Sequence, residues 1–593
     1  MPSPIEDYAL LSDTESAALV ARDGSIDWLT FPRFDSPACF AALLGSPEHG
    51  RWLLAPATEV RRVERRYRPG TLVLETTFHT AEGTVRVVDA MPVRDRTLQV
   101  ARLVEGVSGR VPMRMELVVR LDYGSIVPWV RRGDGVVRFV AGPDALVLSA
   151  PVEVVADGWR HVADFAVDAD RSYGFELAWH PSSSPSPRPQ DVAGSIERTT
   201  EWWEAWSGRC RRPDRWADVV VSSLTVLKGL TYAPTGGMVA AATTSLPELV
   251  GGQRNWDYRF CWLRDATYTL LALLEAGFTE EAAAWRDWLL RAVAGRPDQV
   301  QIMYGARGER RLPEWEVPWL PGYEGSSPVR VGNAAHAQLQ LDVFGEVLDS
   351  LDQASMAGVG DADGDTWALA TALVEHLAGV WDQPDDGIWE VRGGRRHFTH
   401  SKVMAWVALD RALRWARRDG LAAPEGRWRG LRDHIQADVL RHGVDDRGVL
   451  VQAYGSTALD ASLLIVPLVG FLPPTDPRVV ATVEAIQREL TEDGFVRRYR
   501  PEHTDDGLPG GEGVFLLCSF WMVDALHLMG RAAEAEALFT RLVGLRNDVG
   551  LLAEEWDPTA GRMLGNFPQA FSHTGLVESA LLLSQQGGAR RRH

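Results

Sequence analysis

Cysteine is scarce in this chain of 593 residues. Cys39, Cys210, Cys261 and Cys518 stand far apart, with no C-x-x-C pair and no metal-ligand spacing, which points to free buried thiols in a reducing compartment. There is no excess of basic residues: 62 Lys and Arg face 80 Asp and Glu, a net charge of -18. A field of that sign excludes a nucleic-acid backbone or an anionic membrane as partner and suits a small neutral substrate. No apolar run reaches the roughly 18 residues of a membrane span, and the start, Met1 to Tyr8, lacks a basic region followed by an apolar one. A cytoplasmic protein is expected, and a homo-oligomer is compatible with the sequence. Also missing are G-x-x-x-x-G-K-[ST], G-x-S-x-G and H-E-x-x-H, so nucleotide, serine-hydrolase and zincin chemistry have no support.

Tryptophan, by contrast, is abundant, with 23 in the chain. It concentrates with charge in Arg254-Asn255-Trp256-Asp257-Tyr258-Arg259-Phe260-Cys261-Trp262-Leu263-Arg264-Asp265. Sugars offer hydroxyls to charged groups and C–H faces to aromatic rings, so a carbohydrate site needs both residue types within reach of one ligand. Packed aromatics and ordinary ion pairs would explain single residues of this segment, but not the whole set.

Trp262-Leu263-Arg264-Asp265 resembles the W-x-R-D signature of glycoside hydrolase family 15, whose inverting exo-acting members include glucoamylases, glucodextranases and a bacterial and archaeal trehalase branch. The resemblance extends over nearly the whole chain. The blocks Thr243 to Glu248, Gln452 to Ser462 and Gly565 to His573 look close to the actinobacterial trehalase-like branch.

The chain divides by periodicity. Short runs such as Thr71 to Phe78, Thr84 to Val88 and Gly135 to Val140 alternate with period two, with Gly, Asp and Pro between them, and predict an antiparallel β-sandwich over residues 1–200. A Ser/Pro-rich link, Ser182 to Pro189, closes it, and a helix near Trp202 to Trp206 predicts a connecting segment at 201–214. From 215 to 593 the period becomes helical, with twelve apolar-faced segments, of which Ala458 to Leu472 and Val514 to Met529 are apolar nearly all round. The family resemblance implies that these twelve close into an (α/α)6 toroid behind the sandwich.

Inverting hydrolysis of an α-glucoside needs one carboxylic acid to protonate the leaving oxygen and one carboxylate to activate water on the opposite face. Glu390, after Trp389 in a loop between apolar segments, is the acid candidate, with the Trp389 indole expected to raise its pKa. It matches the family's general-acid segment, with Phe398 to Lys402 as the following helix entry. Glu554 in Leu551-Leu552-Ala553-Glu554-Glu555-Trp556-Asp557 is the base candidate by likeness to the family's S-E-x-x-D segment, with Ala553 in place of the usual serine and Glu555 as the rival. By the same likeness, Arg264 and Asp265 would grip glucose hydroxyls, Trp262 and Trp389 would form the wall, and Arg498 would complete the ring of donors. Trp256, Asn333 and Glu555 join the substrate-binding set. His573 is either a polar residue at the pocket's edge or a capped helix residue.

No metal site and no cofactor are expected. Asp361-Ala362-Asp363-Gly364-Asp365 lacks the Gly and Glu of a calcium loop, and Arg307, Arg310 and Arg311 read as a surface cluster, so a phosphate or magnesium requirement has no motif behind it. A phosphorylase would want a basic anion site where the acids around Glu554 stand. A silent sugar-binding protein would have no need of both carboxylates. The expected activity is therefore exo-hydrolysis of an α-glucoside, trehalose first and short α-1,4 or α-1,6 gluco-oligosaccharides as the alternative.

Overall fold

A computed structural model describes residues 2–94, 97–133, 135–359, 364–504 and 506–584. Its first part is antiparallel β structure: fifteen strands join into one sheet, folded into two halves that share the 21-residue strand Leu98–Val118. The first half of that strand pairs with Gly83–Ala90 and Ser172–Pro181, the second with Arg51–Pro56 and Arg160–Asp168. Gly109 marks the crossing, at φ 70°, where a Cβ would lie 2.1 Å from the Glu82 carbonyl oxygen. The expected runs appear as strands Leu74–Thr80, Gly83–Ala90 and Val136–Ala141, and strand structure already begins at Tyr8–Ser12.

The first helix, α1 (Val192–Ser207), starts well before the short helix expected near Trp202. Val192 and Ile196 recur at helical spacing and bury against Val73, Val88, Ala90, Ala101 and Leu103 of the sheet, so the segment is held by the sandwich as well as leading away from it.

Eleven further helices follow among the described residues: α2 (Ala217–Gly229), α3 (Ala266–Glu275), α4 (Thr279–Val293), α5 (Asp342–Met356), α6 (Gly364–Ala378), α7 (Thr399–Asp419), α8 (Glu425–His442), α9 (Pro477–Glu489), α10 (Leu516–Leu528), α11 (Ala532–Val543) and α12 (Ala570–Ser584). One expected helix is absent. Residues 458–472 form only a 3-10 turn, Ala461–Ile465, and further turns. Pro467 removes a backbone donor and its ring clashes with the preceding turn, so the apolar run stays buried without becoming an α-helix.

The ring nevertheless closes. α3 packs on α5, α5 on α7, α7 on the 461–465 turn, that turn on α10, α10 on α12, and α12 back on α3. The remaining helices lie outside: α2 against α12, α4 against α3, α6 and α8 against α7, α9 against the turn and α11 against α10. This is the six-hairpin toroid. All six inner segments start at the same end, directly after Asp265, Leu341, Phe398, Asp460, Phe515 and Gln569, so the loops before them converge there.

The sandwich braces that end. Trp28 Nε1 donates to the Ala242 carbonyl at 2.9 Å, and Arg259 donates to the Ser36 carbonyl and the Tyr123 hydroxyl at 2.9 and 2.8 Å. Among the described residues no helix is long and apolar enough to cross a membrane.

Candidate active site

The aromatic and charged segment divides its labour. Asp257 and Arg259 form a fully buried pair at 2.7 Å turned toward the sandwich, and Asp257 also accepts the Gly332 amide at 3.0 Å. These two hold the strand in place. Arg264 and Asp265, at the entry to α3, turn inward instead. Trp256, Tyr258 and Trp262 line one pocket with Glu248, Arg254, Asn333, Trp389, Glu390, Arg392, Arg498, Tyr499 and Leu508.

Glu390 occupies this pocket with a left-handed backbone, φ 51°, which turns its side chain out of the loop before α7. Its Oε1 accepts from Trp262 Nε1 at 3.1 Å and Arg264 Nη1 at 2.9 Å. Its Oε2 accepts no hydrogen bond among the described residues. The expected apolar wall of Trp389 lies elsewhere. That indole donates to Asp460 Oδ1 at 2.9 Å, packs on Phe515 and Trp521, and carries the Arg498 guanidinium at 5.6 Å. Glu390 therefore faces a cation and an indole N–H. Gln338 Nε2 also holds the Glu390 carbonyl at 3.2 Å.

Glu554 lies on the loop before α12, buried, with Oε2 accepting the Asn566 amide at 3.1 Å and Oε1 without a hydrogen-bond partner. Gly565 is required beside it: a Cβ there would lie 2.5 Å from Glu554 Oε2. Burial, and then the charge of Glu248, push the Glu554 carboxyl up to about 8, against the opposing pull of Tyr258 and Arg498. The charges of both carboxylates act on Tyr258. Its phenol is held well above its ordinary range first by burial and then by Glu554, Glu248 and Glu390.

Glu555 points to the opposite side of the strand it begins, as adjacent strand residues must. Its Oε2 accepts the Gly513 amide at 2.8 Å and its Oε1 lies 3.6 Å from Arg498. Burial and the neighbouring Glu248 and Glu512 raise its pKa well above the carboxylate range. Glu248, Glu512 and Glu555 bring carboxylate oxygens within 4.8 Å of one another, the spacing of a cation site. The cation already there is the guanidinium of Arg498, at 2.8 Å from Glu248 and 2.5 Å from Glu512. Arg254 adds a second positive charge, bonded to Asp506 at 2.7 Å. Arg498 thus lines the pocket with its donors engaged by carboxylates.

Other expected residues have structural duties. Asn333 caps a short 3-10 turn through Ala335 N–H at 3.0 Å and donates to the Asp257 carbonyl at 3.3 Å, so its amide supports the pocket wall. His573 is the helix residue, not a pocket-edge one. It is fully buried in α12, accepts the Leu552 amide on Nε2 at 3.2 Å and lies 3.0 Å from Ser223 Oγ through Nδ1. Burial and Arg546 lower its pKa to about 3. Asp265 pairs with Arg264 at 3.1 Å and is raised to about 6 by burial.

Gln340 and Asp342, at the entry to α5, are buried, and both Asp342 oxygens lack hydrogen-bond partners among the described residues. Arg307 and Arg310 lie over different tyrosines, Tyr232 and Tyr304. The Asp361 to Asp363 part of the acidic loop and Asp505 lie outside the described residues. All four cysteines are buried and free.

Sequence reasoning placed Tyr258 and Arg254 in the aromatic and charged segment and Glu248 in a family-like block without giving any of them a role, and it missed Glu512. Tyr258 carried a signal, since it stands within the aromatic segment. Glu248 and Glu512 are single acids in loops, and only the fold brings them to Arg498.

Two family models match the chain: trehalase-like, N-terminal, over residues 1–178, and glycosyl hydrolases family 15 over residues 215–581. A trehalase of Mycobacterium tuberculosis is 41% identical, the match covering 98% of this chain and 89% of that protein. A trehalase of Thermoplasma acidophilum is 34% identical over 96% of this chain and 98% of that protein. A bacterial glucoamylase solved with acarbose superposes with a TM-score of 0.74 at 12% identity, covering 98% of this chain and 95% of that one.

Proposed function

The chain belongs to glycosyl hydrolase family 15, and on that premise we propose that it hydrolyses trehalose to two glucose molecules with inversion, Glu390 acting as general acid and Glu554 as general base. A glycoside hydrolase acts on a sugar, and the mechanism needs only acid–base chemistry from the chain, without a cofactor. The observation that carries the reading is that Glu390 lines the pocket with Oε2 unbonded and the buried Glu554 keeps Oε1 unbonded among the described residues, while the charges of both act on the buried phenol of Tyr258. Glu390 keeps Oε2 free to hand a proton to the leaving oxygen. Glu554 keeps Oε1 free to take one from water.

Trp262, Trp256 and Trp389 would supply the sugar-facing wall, and Arg264 and Asp265 the polar contacts to the glycone. Arg498, Glu555 and Asn333 act from behind, holding the wall. Free buried thiols suit the cytoplasmic setting assigned to the reaction. Trehalose is favoured over α-1,4 or α-1,6 oligomers by the trehalase relatives that match over almost the full chain. Glucose release from trehalose, maltose, isomaltose and dextran tests this choice. Trehalose should be cleaved with the highest kcat/KM, and preference for maltose or isomaltose would move the protein to the glucoamylase-like alternative.

One observation favours exchanged roles: Glu554, raised to about 8, holds a proton near neutral pH, whereas Glu390 sits 2.9 Å from Arg264. α-Glucosyl fluoride separates the two assignments, because fluoride leaves without a proton. The Gln variant that keeps activity on the fluoride identifies the acid.

A further inference from the structure

The sandwich has a cleft of its own, about 530 Å³ in volume, which shares no lining residue with the pocket of Glu390. It opens between the two halves of the sheet. One wall is the edge hairpin Trp129–Gly133 and Val136–Ala141, in which Val130 pairs with Phe139, so that Val130, Phe139 and Arg132, two positions on, share the face toward the cleft. The other wall is made by Val119 and Arg120, which follow the strand Leu98–Val118, and by the hairpin Val155–Asp157 and Arg160–Asp168, whose two turn residues are Gly158 and Trp159. The Phe139 and His161 rings meet across the gap, with centroids 4.8 Å apart.

The volume falls in the range of small-molecule sites, roughly 300–1,000 Å³. The charged groups in it are all of one sign. Arg120 and Arg132 bring guanidinium groups, and no Asp, Glu, Asn or Gln lines the cleft. The Arg120 side chain, only 7% exposed as a residue, has one hydrogen bond among the described residues, from Nη1 to the Val119 carbonyl at 2.8 Å, and the Arg132 side chain has none. Burial lowers the Arg120 pKa against the pull of Glu48. His161 is 4% exposed, its Nδ1 has no hydrogen-bond partner among the described residues, and burial and then Arg132 lower its pKa to about 4, which leaves a neutral ring near pH 7. A buried cation without a counter-charge and an orphaned ring nitrogen both cost free energy that a bound acceptor would recover. Trp159, 50% exposed, makes no aromatic or cation contact among the described residues, whereas the exposed Trp129 is covered by Arg131 at 3.9 Å. A neutral sugar would find no carboxylate or amide side chain here to accept from its hydroxyls. An anion needs donors alone.

We propose that this cleft binds a planar organic anion, its ring on Trp159 and its charge held by Arg120 and Arg132. The site is independent of the roles given to Glu390 and Glu554.

Isothermal titration calorimetry of the full chain with adenosine monophosphate, adenosine and inorganic phosphate separates ring from charge, and naphthalene-1-sulfonate supplies a second planar anion of unrelated build. The monophosphate should bind at least about tenfold tighter than adenosine or phosphate, since each fragment keeps one of the two contacts. Arg132→Gln should weaken the monophosphate and the sulfonate about tenfold and leave adenosine unchanged. Trp159→Ala should weaken the monophosphate and adenosine alike, by about tenfold. Both residues are exposed, so both variants should keep the wild-type Tm. Saturable binding of neither planar anion, adenosine or phosphate binding as tightly as the monophosphate, or a monophosphate affinity unchanged by Arg132→Gln would each overturn the proposal.

Discussion

Arg264 Nη1 lies 2.9 Å from Glu390 Oε1, and the same nitrogen donates to the Ile388 carbonyl at 2.8 Å, so the arginine of the W-x-R-D segment clamps the loop that carries the proposed acid. The remaining carboxyl oxygen of Glu390 is left toward the pocket. This accounts for an arginine beside the residue proposed to deliver a proton. The clamp fixes orientation through one oxygen and leaves the other for the proposed proton transfer.

Glu390→Gln and Glu554→Gln should each lower trehalose turnover by roughly 10²–10⁴-fold with unchanged thermal unfolding, since each keeps side-chain volume and removes one proton-transfer group. With α-glucosyl fluoride, Glu390→Gln should recover most of its activity and Glu554→Gln should not. Recovery by Glu554→Gln alone would reverse the roles.

Stereochemistry tests the displacement itself. In the proposed mechanism, water activated by Glu554 attacks opposite the leaving group, so an α-linked substrate should release β-glucose first. Proton NMR before mutarotation reads the anomer, and α-glucose as the initial product would rule out the role of Glu554.

Asp265→Ala should reduce kcat as well as raise KM, because glycone contacts are used to orient the ring at the bond being broken. The same variant should leave Arg264 with Glu390 and the Ile388 carbonyl as its hydrogen-bond partners among the described residues, over the Phe571 ring. A change confined to KM would show that Asp265 contributes ground-state binding alone.

Asp342 yields a stability prediction with a definite sign. Burial first, and then Asp385, raise its carboxyl to about 7, with Arg264 pulling the other way and Glu390 adding to the rise. Between the ordinary carboxylate value near 4 and this folded value the native state binds more protons than the unfolded one. Its contribution is therefore fully present below about pH 4 and is lost as pH rises through about 7. Asp342→Asn removes that loss, so Tm of the variant should gain on wild type between pH 5 and pH 8. A constant difference across that range would show that Asp342 titrates normally.

The patterning of the chain determined its layers. Period-two runs before residue 182 and helical runs after 215 oblige a sheet to bury one face and helices one stripe, and both appear where the residues place them. Composition and the 254–265 segment pointed to a sugar site, since few other ligands need rings and paired charges together. The tertiary structure decided which member of each pair does what. Asp257 with Arg259 and Arg264 with Asp265 look alike in sequence, yet Arg259 bonds across to the sandwich and Arg264 to the loop that carries Glu390. Trp262 rather than Trp389 donates to Glu390, and the 458–472 run yields to Pro467. Glu512 had no local signal, and Glu248 ended a family-like block without a role of its own. They meet Arg498 because the loops ahead of the inner segments converge at one end of the ring, a proximity set by closure of the toroid and invisible to any window along the chain.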